Sequence, residues 1–508
     1  MVLGTGSHVG KSLLVTALCR ILVQDGYRVA PFKAQNMSLN SAATPEGGEI
    51  GRAQALQAEA CGLVPSVDMN PILLKPTSDR RSQVILRGAI WETMDAFTYH
   101  RRRIDDLFPL VCESYEHLAE RYDVIVLEGA GSPVELNLKD ADLVNMRMAQ
   151  AADARCLLLG DIERGGVFAS LYGTMRLLDD RERRRITGFA VNKFRGDPAL
   201  FSGGVALLEE LLERPCFGVI PYLRDIGLEE EDGVAIEELR IARRPPWKDG
   251  GGNARRTRIA VVAWPHLSNF TDFDAFALES SVEFAFVEEP AALAGADLVV
   301  LPGTKATLAA LQWLRDRGFA EALAAAAETG YVFGICGGMQ VLGRRIDDPT
   351  GVEGGGAAEG LHLLPIRTTL ASRKVTELSA GRTRAATLFG VPFASEVRGY
   401  EIHVGETLYD PGARPFARIA YERGGRPFDD GAHDAGGRVA GSYLHGLFAD
   451  DGFRHEFLRA LRAARGLAPA DHYARVSVER AARLDRLADH VRAALDVPRL
   501  LGAVAARA

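Results

Sequence analysis

One short stretch of the chain carries residue types whose order is suited to covalent chemistry. Residues 331–335 form a hydrophobic run that ends at Cys336, and Gly337 and Gly338 follow directly. This pattern is typical of a strand that turns sharply into a helix and exposes a nucleophile at the helix N-terminus. The helix dipole favours the reactive thiolate there, and the N–H of Gly337 can stabilise an oxyanion. We therefore predict that Cys336 is a nucleophile; the alternative is a buried structural cysteine.

A cysteine nucleophile needs an imidazole partner, and two histidines compete for that role. His445 lies between an apolar stretch and Gly446, and His403 follows Ile402 in a second short stretch. A single histidine in a sequence is more often structural than catalytic. Spacing alone therefore does not choose between them.

A second chemically suited stretch lies near the N-terminus. Residues 4–12 read Gly-Thr-Gly-Ser-His-Val-Gly-Lys-Ser and precede an amphipathic run. Gly6 and Gly10 allow backbone N–H groups to approach phosphate oxygens. Lys11 would contact the outer phosphates and Ser12 a magnesium ion. The strict phosphate-loop pattern requires glycine where Thr5 stands, so we predict a variant loop. The alternative is a glycine-rich strand-to-helix turn that contains Gly-Lys-Ser by chance.

A phosphate site of this kind also needs acidic residues for its metal ion. Candidates at predicted strand ends are Glu128, Asp161 and the pair Asp140 and Asp142. Mg²⁺ takes one or two carboxylates together with phosphate oxygens and water. Glu128, which follows an apolar strand and precedes glycine, is the first choice. The alternative is that Glu128 only stabilises the turn after it.

The elements that must position these residues alternate between short apolar runs and amphipathic stretches. In the first half the predicted strands are 124–127, 156–159, 189–191 and 217–220. This alternation is typical of a parallel sheet flanked by helices. The carboxyl ends of such strands line the ligand crevice, which is where Glu128 lies.

A second α/β pattern follows a stretch of prolines, glycines and charges. It contains predicted strands 259–262, 284–287 and 298–301, helical spacing over 306–329, a glycine-rich loop at 351–359 and a helix at 476–495. We predict two doubly wound parallel-sheet domains, 1–240 and 258–455, joined by a linker at 241–257 and followed by a C-terminal helical segment at 456–508.

Composition narrows the class of protein. The chain has 508 residues, of which 47% are hydrophobic and 25% charged, enough for two or three packed domains. A net charge of −7 gives no reason to expect a nucleic-acid partner. Six scattered cysteines indicate neither a disulfide framework nor a zinc cluster, and no apolar stretch is long enough to span a membrane. We expect a cytoplasmic enzyme.

Taken together, these motifs resemble the cobyric acid synthases, the glutamine-dependent amidases of cobalamin biosynthesis. The resemblance covers nearly the whole chain. It is carried by residues 4–12, 31–37, 70–77, 127–133, 161–167 and 192–197, and then by 301–305, the Cys336 stretch, 399–403 and 443–446. The first domain is also similar to dethiobiotin synthetase, and the second to class I glutamine amidotransferases.

The resemblance implies a role for several residues. Cys336 and His445 would be the nucleophile and base of glutamine hydrolysis, with Gly303 and Gly337 as oxyanion donors. Asn192 would contact the nucleotide base. Asp142 would lie near the site where the substrate carboxylate is phosphorylated. The implied cofactors are ATP and Mg²⁺, and the implied substrates are glutamine and adenosylcobyrinic acid a,c-diamide, which is amidated at its b, d, e and g carboxylates.

Two features depart from the related families. Class I amidotransferases orient the histidine with a glutamate two residues later, where this chain has Leu447. The group that orients His445 is therefore open. In addition, only three residues precede Gly4, and we expect the natural start to lie a few residues upstream.

Two other functions fit some of the same motifs. The sister cobyrinic acid a,c-diamide synthases share the two-domain chemistry but amidate different carboxylates; residues 35–36 and 70–77 fit the cobyric branch better. A phosphate-loop regulatory ATPase with a degenerate amidotransferase module is an alternative from another class.

Overall fold

The computed structural model of the protein describes residues 1–78, 81–223, 226–228, 241–242, 246–247 and 255–505. The chain forms two compact units. The first comprises Met1–Ser38, Ile50–Glu231 and Arg480–Ala508, and the second comprises Leu39–Glu49 and Asp232–Glu479. The second unit thus includes a short N-terminal segment that lies inside the predicted first domain.

Strands and helices alternate in the first part of the chain. The strands are β1 (Val2–Gly4), β2 (Val29–Phe32), β3 (Gln35–Met37), β4 (Ser41–Ala43), β5 (Glu49–Gly51), β6 (Ile72–Ser78), β7 (Arg81–Leu86), β8 (Ala89–Asp95), β9 (Val124–Leu127), β10 (Cys156–Asp161), β11 (Ile186–Phe194) and β12 (Cys216–Pro221). The helices are α1 (Lys11–Gln24), α2 (Arg52–Ala60), α3 (Ala96–Arg102), α4 (Phe108–Ala119), α5 (Met146–Ala151), α6 (Val167–Leu177), α7 (Asp180–Arg183) and α8 (Ser202–Leu212).

The first unit is built on a parallel sheet. Strands β1, β10, β11 and β12 pair in that order, β2 pairs with β9, and a parallel bridge between Val2 and Glu128 connects the two sets. Leu157 and Leu159 of β10 lie in one hydrophobic cluster, and Leu158 lies in another. Because side chains alternate along a strand, both faces of the sheet are covered. The predicted strands of this part are confirmed.

A second, mixed sheet of the first unit was not predicted. It contains β3, β6, β7 and β8; β3 and β6 are parallel, and the other pairs are antiparallel.

Eighteen further strands and seven helices are described beyond residue 240. The strands are β13 (Ile241–Ala242), β14 (Thr257–Val262), β15 (Leu267–Ser268), β16 (Val282–Val287), β17 (Leu298–Leu301), β18 (Gly303–Thr304), β19 (Tyr331–Ile335), β20 (Arg345–Asp348), β21 (Gly356–Glu359), β22 (Ile366–Thr383), β23 (Thr387–Leu388), β24 (Val391–Pro392), β25 (Glu396–Tyr409), β26 (Ala417–Tyr421), β27 (Phe428–Asp430), β28 (Ala432–His433), β29 (Val439–Ser442) and β30 (Leu444–His445). The helices are α9 (Asp274–Ala277), α10 (Thr307–Asp316), α11 (Phe319–Thr329), α12 (Gly337–Leu342), α13 (Asp451–Ala464), α14 (Val476–Ala494) and α15 (Val497–Ala505).

The second unit also has a central sheet that is mostly parallel. Its order is β13-β16-β14-β17-β19-β29-β28, and only the pair of β28 and β29 is antiparallel. The strands predicted at 259–262, 284–287 and 298–301 are confirmed. Strand β19 ends at Ile335, so Cys336 lies at the carboxyl edge of the sheet, where ligands bind in open α/β sheets.

A second sheet of this unit corrects one prediction. The glycine-rich residues 351–359 were predicted as a loop, but Gly356–Glu359 form β21, which pairs antiparallel with β20. The loop prediction is wrong for these four residues because the edge of β20 supplies backbone partners that outweigh the weak strand preference of glycine. The same sheet continues through β22, β25 and β30.

The helix predicted at 476–495 is confirmed as α14, which buries Leu484, Leu487 and Val491 while Val478 is exposed. Most of the predicted linker at 241–257 lies outside the described residues. Within the described part of the chain, no helix has both the length and the apolar character needed to cross a membrane.

Candidate functional site

Cys336 occupies a sharp turn between β19 and α12. Its φ of 51° lies in the left-handed region, which is unusual for a residue other than glycine. The neighbouring chain is packed closely, since a Cβ on Gly338 would lie 2.0 Å from the carbonyl oxygen of Leu301. The glycine is therefore needed for this close approach. The predicted strand–turn–helix geometry is confirmed.

His445 is held by a carboxylate that the sequence did not indicate. In β30 its Nδ1 lies 2.7 Å from Oδ2 of Asp272, and both side chains are almost fully buried. The other oxygen of Asp272 accepts a hydrogen bond of 2.8 Å from the N–H of Gly446. Asp272 is thus fixed by backbone on one side and fixes the imidazole on the other. Asp272 supplies the orienting contact that Leu447 cannot.

The charge state of His445 follows from this pair. Burial alone would lower the pKa of His445, but the Asp272 carboxylate, assisted by the Cys336 side chain, raises it to about 10. Because Nδ1 faces Asp272, Nε2 is the ring nitrogen that remains for a second partner. A charged imidazole beside a cysteine is the arrangement in which the sulfur reacts as a thiolate.

His403 has different partners. Its Nε2 lies 3.3 Å from Oε1 of Glu401, and its ring stacks on Tyr443 with a centroid distance of 3.8 Å. Among the described residues no hydrogen bond joins His403 to Cys336. The geometry therefore favours His445 as the partner of Cys336, as the family resemblance implies.

The two predicted oxyanion donors both lie against the Cys336 and His445 site. Gly337 is the first residue of α12, so its N–H has no acceptor within the helix. Gly303 lies in β18, opposite Ser268, and a Cβ added to it would lie 2.9 Å from Cε1 of His445. A side chain at position 303 would therefore displace the His445 ring.

The stabilisation from the Asp272–His445 pair should depend on pH. The pKa of His445 is raised from 6.5 to about 10, so the pair stabilises the fold fully below about pH 6.5, and this contribution is lost as pH rises towards 10. We expect the difference in Tm between the native protein and Asp272→Asn to be largest near pH 6 and to shrink by about pH 10. Thermal unfolding followed by circular dichroism would measure it. A difference that does not change with pH would contradict a charged pair.

In the first unit the predicted phosphate loop connects β1 to α1. Gly10 precedes the helix with a φ of 97°, a conformation that side chains disfavour. A Cβ there would also lie 2.2 Å from Nδ2 of Asn192. Nζ of Lys11 donates to the carbonyl oxygens of Gly6, at 2.8 Å, and Gly131, at 3.1 Å. The Lys11 ammonium is therefore held over the loop.

Glu128 lies at the centre of a buried polar cluster next to this loop. Its Oε1 accepts a hydrogen bond of 2.8 Å from Ser12 Oγ and lies 2.9 Å from Nζ of Lys33, and its Oε2 accepts a hydrogen bond of 2.6 Å from Gln57 Nε2. Burial opposes ionisation, but Lys33 and the two hydrogen bonds together lower the pKa of Glu128. The side chain is therefore a carboxylate although only 1% of it is exposed.

The donor set fits Mg²⁺ bound together with a nucleotide. Ser12 and Glu128 bring one hydroxyl and one carboxylate within 2.8 Å of each other. No cluster of three or more histidine, cysteine or acidic side chains suited to a metal occurs within the described ranges. A cation held by few protein oxygens matches Mg²⁺, which keeps phosphate oxygens and water as its other ligands.

The remaining predicted residues lie in the same unit. Asp161 pairs with Lys193 at 3.1 Å, and Lys193 also donates to His8 of the phosphate loop. Asn192 Nδ2 donates to the carbonyl oxygen of Val9 at 2.8 Å, so it supports the loop. Asp142 Oδ1 accepts the N–H groups of two residues that precede α5.

Sequence reasoning missed three residues of these sites: Asp272, Lys33 and Gln57. Lys33 lies within the motif at 31–37, and a charged residue directly after an apolar run indicates a buried ionic contact. Asp272 follows Phe270 and precedes Phe273, and an acidic residue among buried aromatics also signals a buried pair. No such signal distinguishes Gln57.

Comparison with known proteins assigns families to both parts of the chain. The CobQ/CobB/MinD/ParA nucleotide binding domain matches residues 1–236, and the CobB/CobQ-like glutamine amidotransferase domain matches residues 258–453. The cobyric acid synthase of Syntrophobacter fumaroxidans is 49% identical over 98% of this chain and 97% of its own length. That of Chloroflexus aurantiacus is 49% identical over 97% of this chain and 96% of its own. The match to a solved structure of PurLQS from Thermotoga maritima covers 42% of this chain and 95% of that one, at 18% identity and a TM-score of 0.30.

Proposed function

The chain belongs to the cobyric acid synthase family, and we propose which of its residues use ATP and glutamine to amidate a corrinoid. The chain is a glutamine-hydrolysing carbon–nitrogen ligase of cobalamin biosynthesis. Its substrate is adenosylcobyrinic acid a,c-diamide, and the products carry amides at the b, d, e and g carboxylates. Ammonia comes from glutamine at Cys336, and carboxylates are activated at the phosphate loop.

Glutamine hydrolysis proceeds through the cysteine. The Cys336 sulfur attacks the side-chain carboxamide of glutamine, and the N–H groups of Gly337 and Gly303 hold the resulting oxyanion. Each such donor is worth about 10²–10³ in rate. His445, oriented by Asp272, protonates the departing ammonia and then activates the water that releases glutamate from the thioester.

Amide synthesis requires an activated carboxylate, because an unactivated carboxylate is a poor acceptor for ammonia. Transfer of the terminal phosphoryl group of ATP to a substrate carboxylate gives an acyl phosphate, and ammonia then displaces phosphate from it. Lys11 neutralises charge on the outer phosphates. Ser12 and Glu128 would hold Mg²⁺, which would add positive charge beside the phosphates. Asn192 would contact the base, and Asp142 would lie beside the carboxylate.

The observation that carries this proposal is the buried Asp272–His445 pair beside Cys336. A structural histidine has no need of a buried carboxylate aligned on Nδ1 near a cysteine in a strained turn. A cysteine next to an oriented imidazole is the arrangement of a covalent acyl-transfer site. This supports an active glutaminase rather than a degenerate binding module.

Replacement of Lys11 with alanine tests the ATP half of the proposal. With ammonium chloride as the nitrogen source, we expect Lys11→Ala to slow formation of amidated corrinoid by about 100-fold or more, because the outer phosphates lose their positive partner. Mass spectrometry of the corrinoid would count the amides added to each molecule. Arg28→Ala, which breaks an exposed ion pair with Asp123, serves as a control and should match the native protein.

Two outcomes would contradict the proposal. Native rates in Lys11→Ala would show that the loop does not bind ATP phosphates. Amidation by the native protein at only the a and c positions of cobyrinic acid would instead identify a diamide synthase.

A further inference from the structure

A short N-terminal segment belongs structurally to the amidotransferase unit. Residues 39–49, here called the inserted hairpin, belong to the second unit, whereas the chain on either side of them belongs to the first. The inserted hairpin contains β4 and a tight turn, in which Thr44 N–H donates to the carbonyl oxygen of Gly48 at 2.8 Å. It lies outside residues 258–453, which the amidotransferase family matches.

One residue of the inserted hairpin, Ser41, is hydrogen-bonded to Tyr400 and to Asn269, the residue that precedes the turn carrying Asp272. The N–H of Ser41 donates to Oδ1 of Asn269 at 3.1 Å, and its carbonyl oxygen accepts from the Tyr400 hydroxyl at 3.4 Å. Asn269 directly precedes the 3₁₀ turn Phe270–Phe273, and its carbonyl oxygen accepts the N–H of Asp272 at 3.0 Å. The backbone of Ser41 therefore holds the start of the turn that carries Asp272.

Tyr400 is the second support. Its ring stacks on His445 with a centroid distance of 5.5 Å and an interplanar angle of 22°. Tyr400 and His445 also face each other as strand partners in β25 and β30. A hydroxyl that is anchored to Ser41 limits the movement of the ring against the imidazole. Asp272 and Tyr400 thus both hold His445 in position. Ser41 contacts Tyr400 directly and Asp272 through Asn269.

The inserted hairpin is itself firmly fixed to this unit. Glu49 is completely buried; its Oε1 accepts from Ser41 Oγ at 2.6 Å, and its Oε2 pairs with Lys374 of β22. Ala43 packs against Tyr400 and Ile402. A buried ion pair keeps its partners in place, because separating them would leave an uncompensated charge. Ser41 is therefore held in place where it contacts Asn269 and Tyr400.

We infer that the inserted hairpin is a positioning element of the glutaminase site and sets the geometry of the Asp272–His445 pair. This inference rests on the proposed roles of Cys336 and His445. No atom of the hairpin needs to touch glutamine. Its effect is on the rate of proton transfer by His445, because small displacements of a general base from hydrogen-bonding geometry slow the reaction.

Two variants remove the contacts of Ser41 one at a time. Tyr400→Phe removes the hydroxyl but keeps the stacked ring. Asn269→Gly removes the amide but keeps a residue that accepts the φ of 52° found there. We expect each variant to lower kcat for glutamine hydrolysis by about five- to tenfold, which is the usual effect of one hydrogen bond, with little change in KM. We also expect the pH profile of kcat to shift, since the His445 environment changes.

Tyr409→Phe is the matched control. Tyr409 also lies in β25, but its hydroxyl donates to the carbonyl oxygen of Gly431 at 2.7 Å rather than to the inserted hairpin. We expect its kcat to stay at the native value. Amidation with ammonium chloride should be native in all three variants, which shows that each is folded and that the loss is confined to glutamine hydrolysis.

The failure of this inference can be told apart from failure of the proposed function. Native kcat and an unchanged pH profile in both Tyr400→Phe and Asn269→Gly, with Cys336→Ala inactive on glutamine, would overturn the inference alone. A change only in KM, or an equal loss in Tyr409→Phe, would also overturn it. Glutamine hydrolysis by Cys336→Ala would overturn the proposed function itself.

Discussion

Replacement of Cys336 with alanine is expected to lower glutamine-dependent amidation by about 10⁵-fold or more, a loss comparable to that of removing an essential nucleophile in other acyl-transfer enzymes. The thiol stands at the start of α12 in a strained turn, with Gly337 and Gly303 beside it. Without sulfur no thioester forms, and water alone must attack the carboxamide. Release of glutamate, followed in a coupled assay, would measure the loss.

The same variant should still amidate the corrinoid when ammonium chloride replaces glutamine, because the phosphate loop lies in the other unit. Cys112→Ala is a matched control: Cys112 is a half-buried thiol of α4, and its loss should leave both activities unchanged. Loss of the ammonium-dependent activity in Cys336→Ala would mean that the cysteine acts structurally.

Replacement of Asp272 with asparagine is expected to lower kcat for glutamine hydrolysis by about 10³- to 10⁴-fold, as loss of the orienting carboxylate does in catalytic triads. The amide group of asparagine would offer N–H donors to Nδ1 of His445 and so favour the wrong tautomer. The contact to Gly446 N–H can be kept by the amide oxygen, so the main chain should remain in place. Steady-state kinetics with glutamine would measure the change.

Asp434→Asn provides the comparison for this substitution. Asp434 also accepts a backbone hydrogen bond in the second unit, from the N–H of Val439 at 3.1 Å, but not from His445. We expect nearly native kinetics from it. If Asp272→Asn hydrolysed glutamine at the native rate, Asp272 would be no more than a structural contact of Gly446.

The turns at both sites could be predicted from sequence because residues close together in the chain specify them. The turn at Cys336 is specified by an apolar strand and two glycines within a few residues. The loop around Gly10 and Lys11 is specified in the same way. Short-range sterics decide such turns whatever the rest of the chain does. The central parallel strands were predictable for a related reason, since strands buried on both faces appear in a sequence as continuous apolar runs.

The parts that were missed depend on contacts between distant residues. Asp272 and His445 are separated by 173 positions, and no periodicity links them. Ser41 and Tyr400 are separated by 359. Strand β21 forms only because β20 offers an edge. In each case tertiary packing determines which residue or strand is the partner, and local sequence preferences do not predict it.

The inserted hairpin also affects how this polypeptide can be divided. A gene that encoded only residues from 258 onward would contain the matched amidotransferase region, yet its product would lack Ser41 and Glu49. Lys374 would lose a buried partner, and the turn of Asp272 would lose a tether. We expect such a fragment to be a poor glutaminase, and a synthetic peptide of residues 39–49 to complement it in part. The amidotransferase unit would then depend on a segment that is encoded within the residues matched by the nucleotide-binding family.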